Sequence, residues 1–257
     1  MSRFVKLEFD GETQEPGREE AVSTDEARFL GEADKAMGGG DYERALKFYA
    51  KALEAAPASH DAWVGQARAL IEQDDFERAG QWIDKAIGKI GEAPDLLAAK
   101  AIVLARLGDH EAAMAFSDAA IESGADRAYP WIARGDALLA LDEKQADYCF
   151  GKGLQCESDR WFWQWLVSRI YAYYEKFSLA MKHAQEALAL DAGRCAVWLQ
   201  AGHCQQALGL ADLAASSFER ARELNPTCDE ARAALSDLSR TGVGGRLRNW
   251  SRRLFSR

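Results

Sequence analysis

The sequence predicts an all-α solenoid of about six helix-turn-helix units closed by a C-terminal capping helix. Three observations carry that reading. Alanines recur at Ala45, Ala79, Ala113, Ala146, Ala180 and Ala214, 33 or 34 residues apart. Two further series of small residues keep step with them: Ala52, Ala86, Ala120, Gly153, Ala187 and Ala221 follow by seven, while Ala33, Ala67, Ala101, Gly135, Ser168 and Gly202 precede by eleven or twelve. Large apolar residues hold the same phase, with Phe29, Trp63, Leu97, Trp131 and Trp198 ahead of the alanines and Tyr49, Ile83, Phe150 and Phe218 behind them. A fixed period of this length marks a stacked-repeat architecture, in which each unit buries its apolar face only against its neighbours.

Within a unit the spacing is helical. Trp63, Ala67 and Leu70 share one face, and Asp74-Asp75 then breaks the helix. Phe76, Ala79, Ile83, Ala86 and Ile87 mark the second helix. Equivalent breaks fall at Gly40-Asp41, Gly108-Asp109, Asp142-Glu143, Glu175-Lys176 and Gly209-Leu210. Glycine ends a helix in the left-handed conformation and aspartate caps the next one. The fourth unit is one residue short, which leaves the first-helix register of the fifth open between two frames.

Around the repeats the chain divides into four parts. Residues 1–22 read as an acidic, mostly disordered segment, with a weak strand signal at Val5, Leu7 and Phe9. Ser23 and Glu26 have capping-box spacing for the first helix. The repeats fill 23–228, and a helix over 229–240 places Ala231, Ala234, Leu235 and Leu238 on one side to cap the solenoid. A capped end favours a monomer, with self-association left open. Residues 241–257 read as a glycine hinge and a basic amphipathic tail, in which Arg246, Leu247, Arg248, Trp250, Arg252, Arg253, Leu254 and Phe255 offer a contact face. Its readings are a solvated end, docking on a partner, or a weak contact with anionic lipid.

Charge and motifs exclude several function classes. The net charge is −9, and residues 1–245 alone hold 27 basic against 41 acidic residues, or −14. An acidic body argues against nucleic acid as a partner. No apolar run suits a signal peptide or a membrane span, so the expected location is cytoplasmic, with the inner membrane face as the alternative set by the tail. Cys149, Cys156, Cys195, Cys204 and Cys228 are odd in number and form no CxxC, so reduced thiols are expected. The four histidines are isolated and no nucleotide, zinc-protease or serine-hydrolase motif occurs. No enzyme activity, cofactor or metal is expected.

The period and residue pattern resemble the tetratricopeptide repeat family. The last unit carries Trp198, Gly202, Gly209, Ala214, Phe218, Ala221 and Pro226, and the first carries Gly40-Asp41-Tyr42, Ala45, Tyr49, Ala52 and Pro57. The resemblance implies a right-handed superhelix and a protein-binding scaffold or adaptor that takes a peptide or helix in its concave groove, lined by the first helix of each pair. Candidate groove residues are Arg68, Arg106, Tyr129, Asp136, Phe162, Trp165, Arg169, Tyr173 and His203. The fifth unit's RWFWQWLVSRIYAYY reads either as an aromatic pocket or as an enlarged core. Family members that clamp a terminal carboxylate use lysine and asparagine; the matching face here is Asp34, Arg68, Ile102, Asp136, Arg169 and His203, so that role is not implied.

Overall fold

A computed structural model describes residues 16–240 apart from 143 and 159, with side chains from residue 24 onward. The described residues form helices and turns: α1 (Pro16–Gly38), α2 (Tyr42–Ala55), α3 (His60–Glu72), α4 (Phe76–Ile90), α5 (Pro94–Leu107), α6 (His110–Gly124), α7 (Ala128–Ala140), α8 (Ala146–Cys156), α9 (Trp161–Tyr173), α10 (Phe177–Leu190), α11 (Cys195–Ala207) and α12 (Ala211–Leu224). A last helix, α13, spans 229–240. Successive pairs pack antiparallel and stack on the next pair, with α13 on the final one. The strand signal at residues 5–9 and the tail at 241–257 lie outside the described residues. Helix α1 begins at Pro16, ahead of the capping box expected at Ser23. Proline suits the first turn of a helix, where its missing N–H removes no bond.

The turns repeat with the same backbone solution in every unit. Gly40, Asp74, Gly108, Asp142, Glu175 and Gly209 all have positive φ, between 55° and 86°. After five of these six the next residue donates its N–H back across the helix end: Asp41 to Ala36 (2.9 Å), Asp75 to Leu70 (3.1 Å), Asp109 to Leu104 (2.9 Å), Lys176 to Tyr171 (2.9 Å) and Leu210 to Gln205 (2.8 Å). This is the Schellman ending, which satisfies carbonyls the helix leaves orphaned. Where the following residue is aspartate it also opens the next helix, as Asp41 does by accepting from Arg44 N at 3.0 Å and Asp109 from Ala112 N at 3.2 Å.

Small residues let the paired helices close up. Ala45, Ala79, Ala113, Ala180 and Ala214 are fully buried, as are Ala52, Ala86, Ala120, Ala187 and Ala221. An added Cβ on Gly135 would stand 2.4 Å from the Phe150 ring, and one on Gly202 would stand 2.5 Å from Phe218. Alanine at either position therefore forces the ring aside, an overpacking that costs about 1–3 kcal/mol.

The left-handed turn residues also fix the uncertain register. Arg68, Arg169 and His203 each precede their turn residue by the same six positions, as do Asp34, Ile102 and Asp136. Arg169 is thus the counterpart of Arg68, and Gln164, not Trp163, is the counterpart of Trp63. The shortfall lies in α8, which begins at Ala146 itself while every other second helix begins three residues before its alanine.

The superhelix turns tightly enough for its ends to meet. The Asn225 side-chain amide donates to the Gly39 carbonyl at 3.1 Å, and α1 touches α11. The second unit likewise meets the fifth, where Arg169 Nε sits 2.8 Å from Glu72 Oε2 and the Phe76 and Tyr173 rings meet edge-on at 6.3 Å.

Candidate functional site

The first helices α3, α5, α7, α9 and α11 line the concave side, and the six positions six residues before each turn form a spiral along it. The chain itself occupies most of that spiral. Asp34 accepts from the Tyr49 hydroxyl at 3.1 Å. Ile102 is buried. Asp136, fully buried, pairs with Arg106 Nη2 at 2.9 Å and accepts from the Tyr174 hydroxyl at 2.8 Å. Arg169 pairs with Glu72, and His203 Nε2 lies 2.8 Å from Glu230 of α13. Arg68 has no carboxylate within ion-pair distance among the described residues.

The groove consequently has two unlike halves. Toward the C-terminal ends of α3, α5, α7 and α9 it is plugged. Arg106 lies 3.5 Å from the Tyr173 ring centre while holding Asp136, and Glu72 closes on Arg169. The space left among these side chains is about 40 Å³. Burial disfavours the charged form of both Arg106 and Asp136. Asp136 and Tyr174 nevertheless hold the Arg106 guanidinium charged, with its pKa raised, while burial lifts the Asp136 carboxyl against the pull of Arg106. A charge pair removed from water in this way persists only with such added hydrogen bonds.

Toward the N-terminal ends of the same helices the groove opens into a mouth of about 650 Å³, a size suited to a ligand or peptide end. Leu30, Met37, Val64, Trp161, Phe162 and Trp163 give it apolar wall. Its charge comes from Arg68, Arg127, Arg160 and Arg194 set among Asp34, Asp61, Asp95 and Glu157. Three of the four arginines are the residues that open α7, α9 and α11, spaced 33 and 34 apart. Each has a carboxylate: Arg127 with Asp95 at 2.5 Å, Arg160 with Glu157 at 3.0 Å, and Arg194 with Asp191 at 2.6 Å. A bond from His60 and its nearby charge hold Asp61 below the usual carboxylate range in spite of partial burial.

Arg68 differs from these three. Its guanidinium carbon lies 4.1 Å from the Tyr129 ring centre, 5.0 Å from Trp163 and 5.5 Å from Phe162. Its Nε is buried without a hydrogen-bond partner, and the buried Trp163 Nε1 beside it is in the same state. Aromatic faces stabilise an arginine electrostatically and hold it in one orientation. They leave its Nε–H without an acceptor, a place that a carboxylate would fill.

The expected groove residues therefore separate. Arg68 and Phe162 belong to the mouth, together with Trp163, which was not among the expected residues, and Tyr129 is the buried platform beneath Arg68. In the plug Arg106 pairs with Asp136 through Nη2, its Nε and Nη1 buried without partners, Arg169 pairs with Glu72, and Tyr173 is exposed at the rim. Trp165 departs from the expected hot-spot placement: it is 1% exposed and donates its indole N–H to the Ala196 carbonyl at 3.2 Å, so it joins α9 to α11. The fifth unit's aromatics thus serve both readings left open by the sequence, with Trp165 and Tyr171 in the core and Trp161, Phe162 and Trp163 at the mouth. Sequence reasoning missed the arginine ladder at 127, 160 and 194, although its repeat-length spacing was a usable signal.

Among the described residues no cluster of three or more metal-ligating side chains occurs, and no helix is long and apolar enough to cross a membrane. Cys204 is fully buried, and His203 pairs with Glu230.

Comparison with known proteins places the repeats. Residues 30–96 match the tetratricopeptide repeat family. No curated protein sequence matches the chain. Among solved structures, the APC/C hetero-tetramer Cut9–Hcn1 aligns at 13% identity and TM-score 0.49 over 86% of this chain and 45% of that one, so this chain spans less than half its length. YrrB, a TPR protein with an unusual peptide-binding site, aligns at 18% identity and TM-score 0.38, covering 84% of this chain and 96% of that one. PilF of Pseudomonas aeruginosa aligns at 19% identity and TM-score 0.44, covering 86% and 99%. The stretch 30–96 is thus similar to the tetratricopeptide repeat family, and the same left-handed turn recurs in the units that follow it.

Proposed function

We propose that the protein is a non-catalytic adaptor that takes the end or side of a peptide in the open mouth of its groove, with Arg68 as the anchor for an acidic group. The supporting observation is the state of Arg68, a cation fixed on aromatic rings beside a 650 Å³ opening and left without the carboxylate that the mouth's other arginines have. Buried polar atoms without partners are rare in native proteins. An incoming carboxylate would satisfy this one, and exposed Asp61 suits a basic residue farther along the same peptide. The plugged half makes the groove blind, so the partner enters one end and does not thread through.

The test is to pan a randomised dodecapeptide library on the full chain and measure binding of the selected peptides by calorimetry. Selected peptides should carry Asp, Glu or a free C-terminal carboxylate, and Arg68→Gln should weaken them about 10- to 100-fold, the range of a charge-assisted hydrogen-bond pair. Peptides lacking acidic groups, or equal binding by the variant, would move the site elsewhere.

A second reading rests on the basic tail, in which Trp250, Leu254 and Phe255 stand among arginines. In it the tail tethers the adaptor weakly to an anionic membrane face as a peripheral assembly or secretion-linked factor. Co-sedimentation with phosphatidylserine vesicles should be lost on truncation after residue 241; equal binding by both chains sinks the tether.

A further inference from the structure

The six left-handed turns form one edge of the solenoid, and that edge carries apolar and acidic surface the groove does not use. Among the described residues nine large apolar side chains are exposed, and six of them stand there. Leu107, Leu141 and Leu208 each precede a left-handed turn residue, while Leu179, Leu210 and Leu213 stand at the starts of α10 and α12. Single exposed leucines are ordinary surface, but four of these six gather on the fifth and sixth units. Between those two units lies an open hollow of about 280 Å³, lined by Phe177, Leu179 and Leu208 with Glu175, Lys176 and Ser178. The edge is also acidic. The five-residue stretches that begin at the six turn residues hold 11 acidic against 4 basic residues, or −7, which is half the excess of residues 1–245.

The chain is delivered to this place by its last described helix. Helix α13 begins at residue 229, 34 residues after Cys195 opens α11, and both pack on α12 in one cluster with Phe218. It therefore stands where the first helix of a further unit would stand. Residue 240 is level with Gln206, two residues before Leu208, so the chain leaves α13 at the turn edge and next to the hollow. Residues 246–257 have the complementary chemistry. They hold five arginines and no acid, with Leu247, Trp250 and Leu254 at the spacing of one helical face.

We propose that residues 246–257 dock back on the turn edge of the fifth and sixth units of the same chain, with Trp250 in the hollow beside Leu179 and Leu208 and the arginines along the acidic edge. The connection is long enough. Seven residues from 240 to Leu247 span up to about 25 Å, while neighbouring helices stand about 8–10 Å apart. The hollow is smaller than the roughly 300–1,000 Å³ of a small-molecule site, and a single aromatic anchor suits it. Charge is available beside it. Lys176, the one basic residue of the lining, pairs with Asp142 at 3.2 Å, while Glu175 and Asp212 have no cation within ion-pair distance among the described residues.

Docking covers the leucine edge and withholds Trp250 and Leu254 from any lipid surface, so the docked tail and a membrane-bound tail exclude one another. The mouth opens at the opposite ends of the same first helices, and peptide binding there stands or fails independently of the tail.

The test places the photoreactive p-benzoylphenylalanine at position 250 of the full chain, irradiates it in dilute lipid-free solution, and maps the links by peptide mass spectrometry. Links within one chain to residues 175–179 and 208–213 should dominate. Their yield should fall at least about threefold in roughly 1 M salt, where the screening length shrinks to about 3 Å. Leu208→Ser combined with Leu213→Ser should lower it about tenfold, and both sites are exposed enough (39% and 54%) for the fold to be retained, which circular dichroism checks. The proposal is overturned by links scattered over other faces, by links that join only separate copies, or by a yield indifferent to salt or to the two serines. It is overturned equally by a chain that forms no link in solution yet sediments with phosphatidylserine vesicles, which assigns the tail to the membrane. The map of the chain with both leucines in place is decisive without the serine variant.

Discussion

The two halves of the concave groove are built from the same helices and do opposite things with charge. At the C-terminal ends of α3, α5, α7 and α9, Arg106, Asp136, Tyr174, Glu72 and Arg169 consume one another, and about 40 Å³ remains. At the N-terminal ends the paired arginines stand back around about 650 Å³, and Arg68 is held on aromatic faces without a carboxylate. The difference separates structural charge from available charge. A residue on the binding face of a repeat is a binding residue only if its own chain has not already satisfied it.

Breaking the plug should give the largest effect, and on stability rather than binding. Asp136→Ala strands the Arg106 guanidinium, whose side chain is 6% exposed, and should lower unfolding free energy by about 3–5 kcal/mol in urea denaturation. Binding at the mouth by the protein that remains folded should be unchanged. Sharpening the mouth is the next test: Arg68→Gln should cost the 10- to 100-fold in affinity given above, while its melting point shifts by no more than about 3 °C, because the lost ring contacts are worth roughly 1 kcal/mol. A large loss of stability with no loss of affinity would assign Arg68 to the plug's role instead.

Less of either half was legible in the sequence than of the fold. The alanine series and the turn residues specified the units because close helix crossing and a left-handed turn each admit few residue types, and Gly40, Gly108 and Gly209 stand where they were expected. The non-glycine turns at Asp74, Asp142 and Glu175 were also placed, since the period demanded them. The groove was harder to read. Helical phase showed that Arg68, Asp136 and Arg169 face the concave side, but which arginine meets which acid depends on how tightly the superhelix coils. The Arg169–Glu72 contact joins residues 97 apart, and no local pattern encodes it.

The seam between the halves allows a smaller test. Glu72→Gln keeps the shape of the side chain and removes the charge opposite Arg169. It should cost about 1–3 kcal/mol in thermal or urea unfolding, with hydrogen exchange rising at the C-terminal ends of α3 and α9. Equal exchange would show that the latch does not hold the plug closed.

At neutral pH the smallest effect lies outside both halves and serves as a control. Burial depresses His183 to about 4, Lys182 adds to this, and Asp147 opposes it. With Gln164 Oε1 accepting at 2.8 Å, Nδ1 of the neutral ring carries the proton. The unfolded chain binds this proton near the ordinary histidine value of 6.5 and the folded chain only near 4. His183 therefore lowers stability as pH falls through that window and leaves it unchanged above. His183→Gln should flatten the stability profile between about pH 6.5 and 4 without altering peptide affinity at pH 7.

The account turns on the claim that the mouth is open for binding and the plug is not, and one titration tests it directly. A panned acidic peptide should be titrated calorimetrically into wild-type protein, Arg68→Gln and Tyr173→Ala, the last removing the exposed ring at the rim of the plug. The account predicts affinity at least about tenfold weaker for Arg68→Gln and within about twofold of wild type for Tyr173→Ala. The reverse order, with Tyr173→Ala losing the peptide and Arg68→Gln retaining it, would contradict the account.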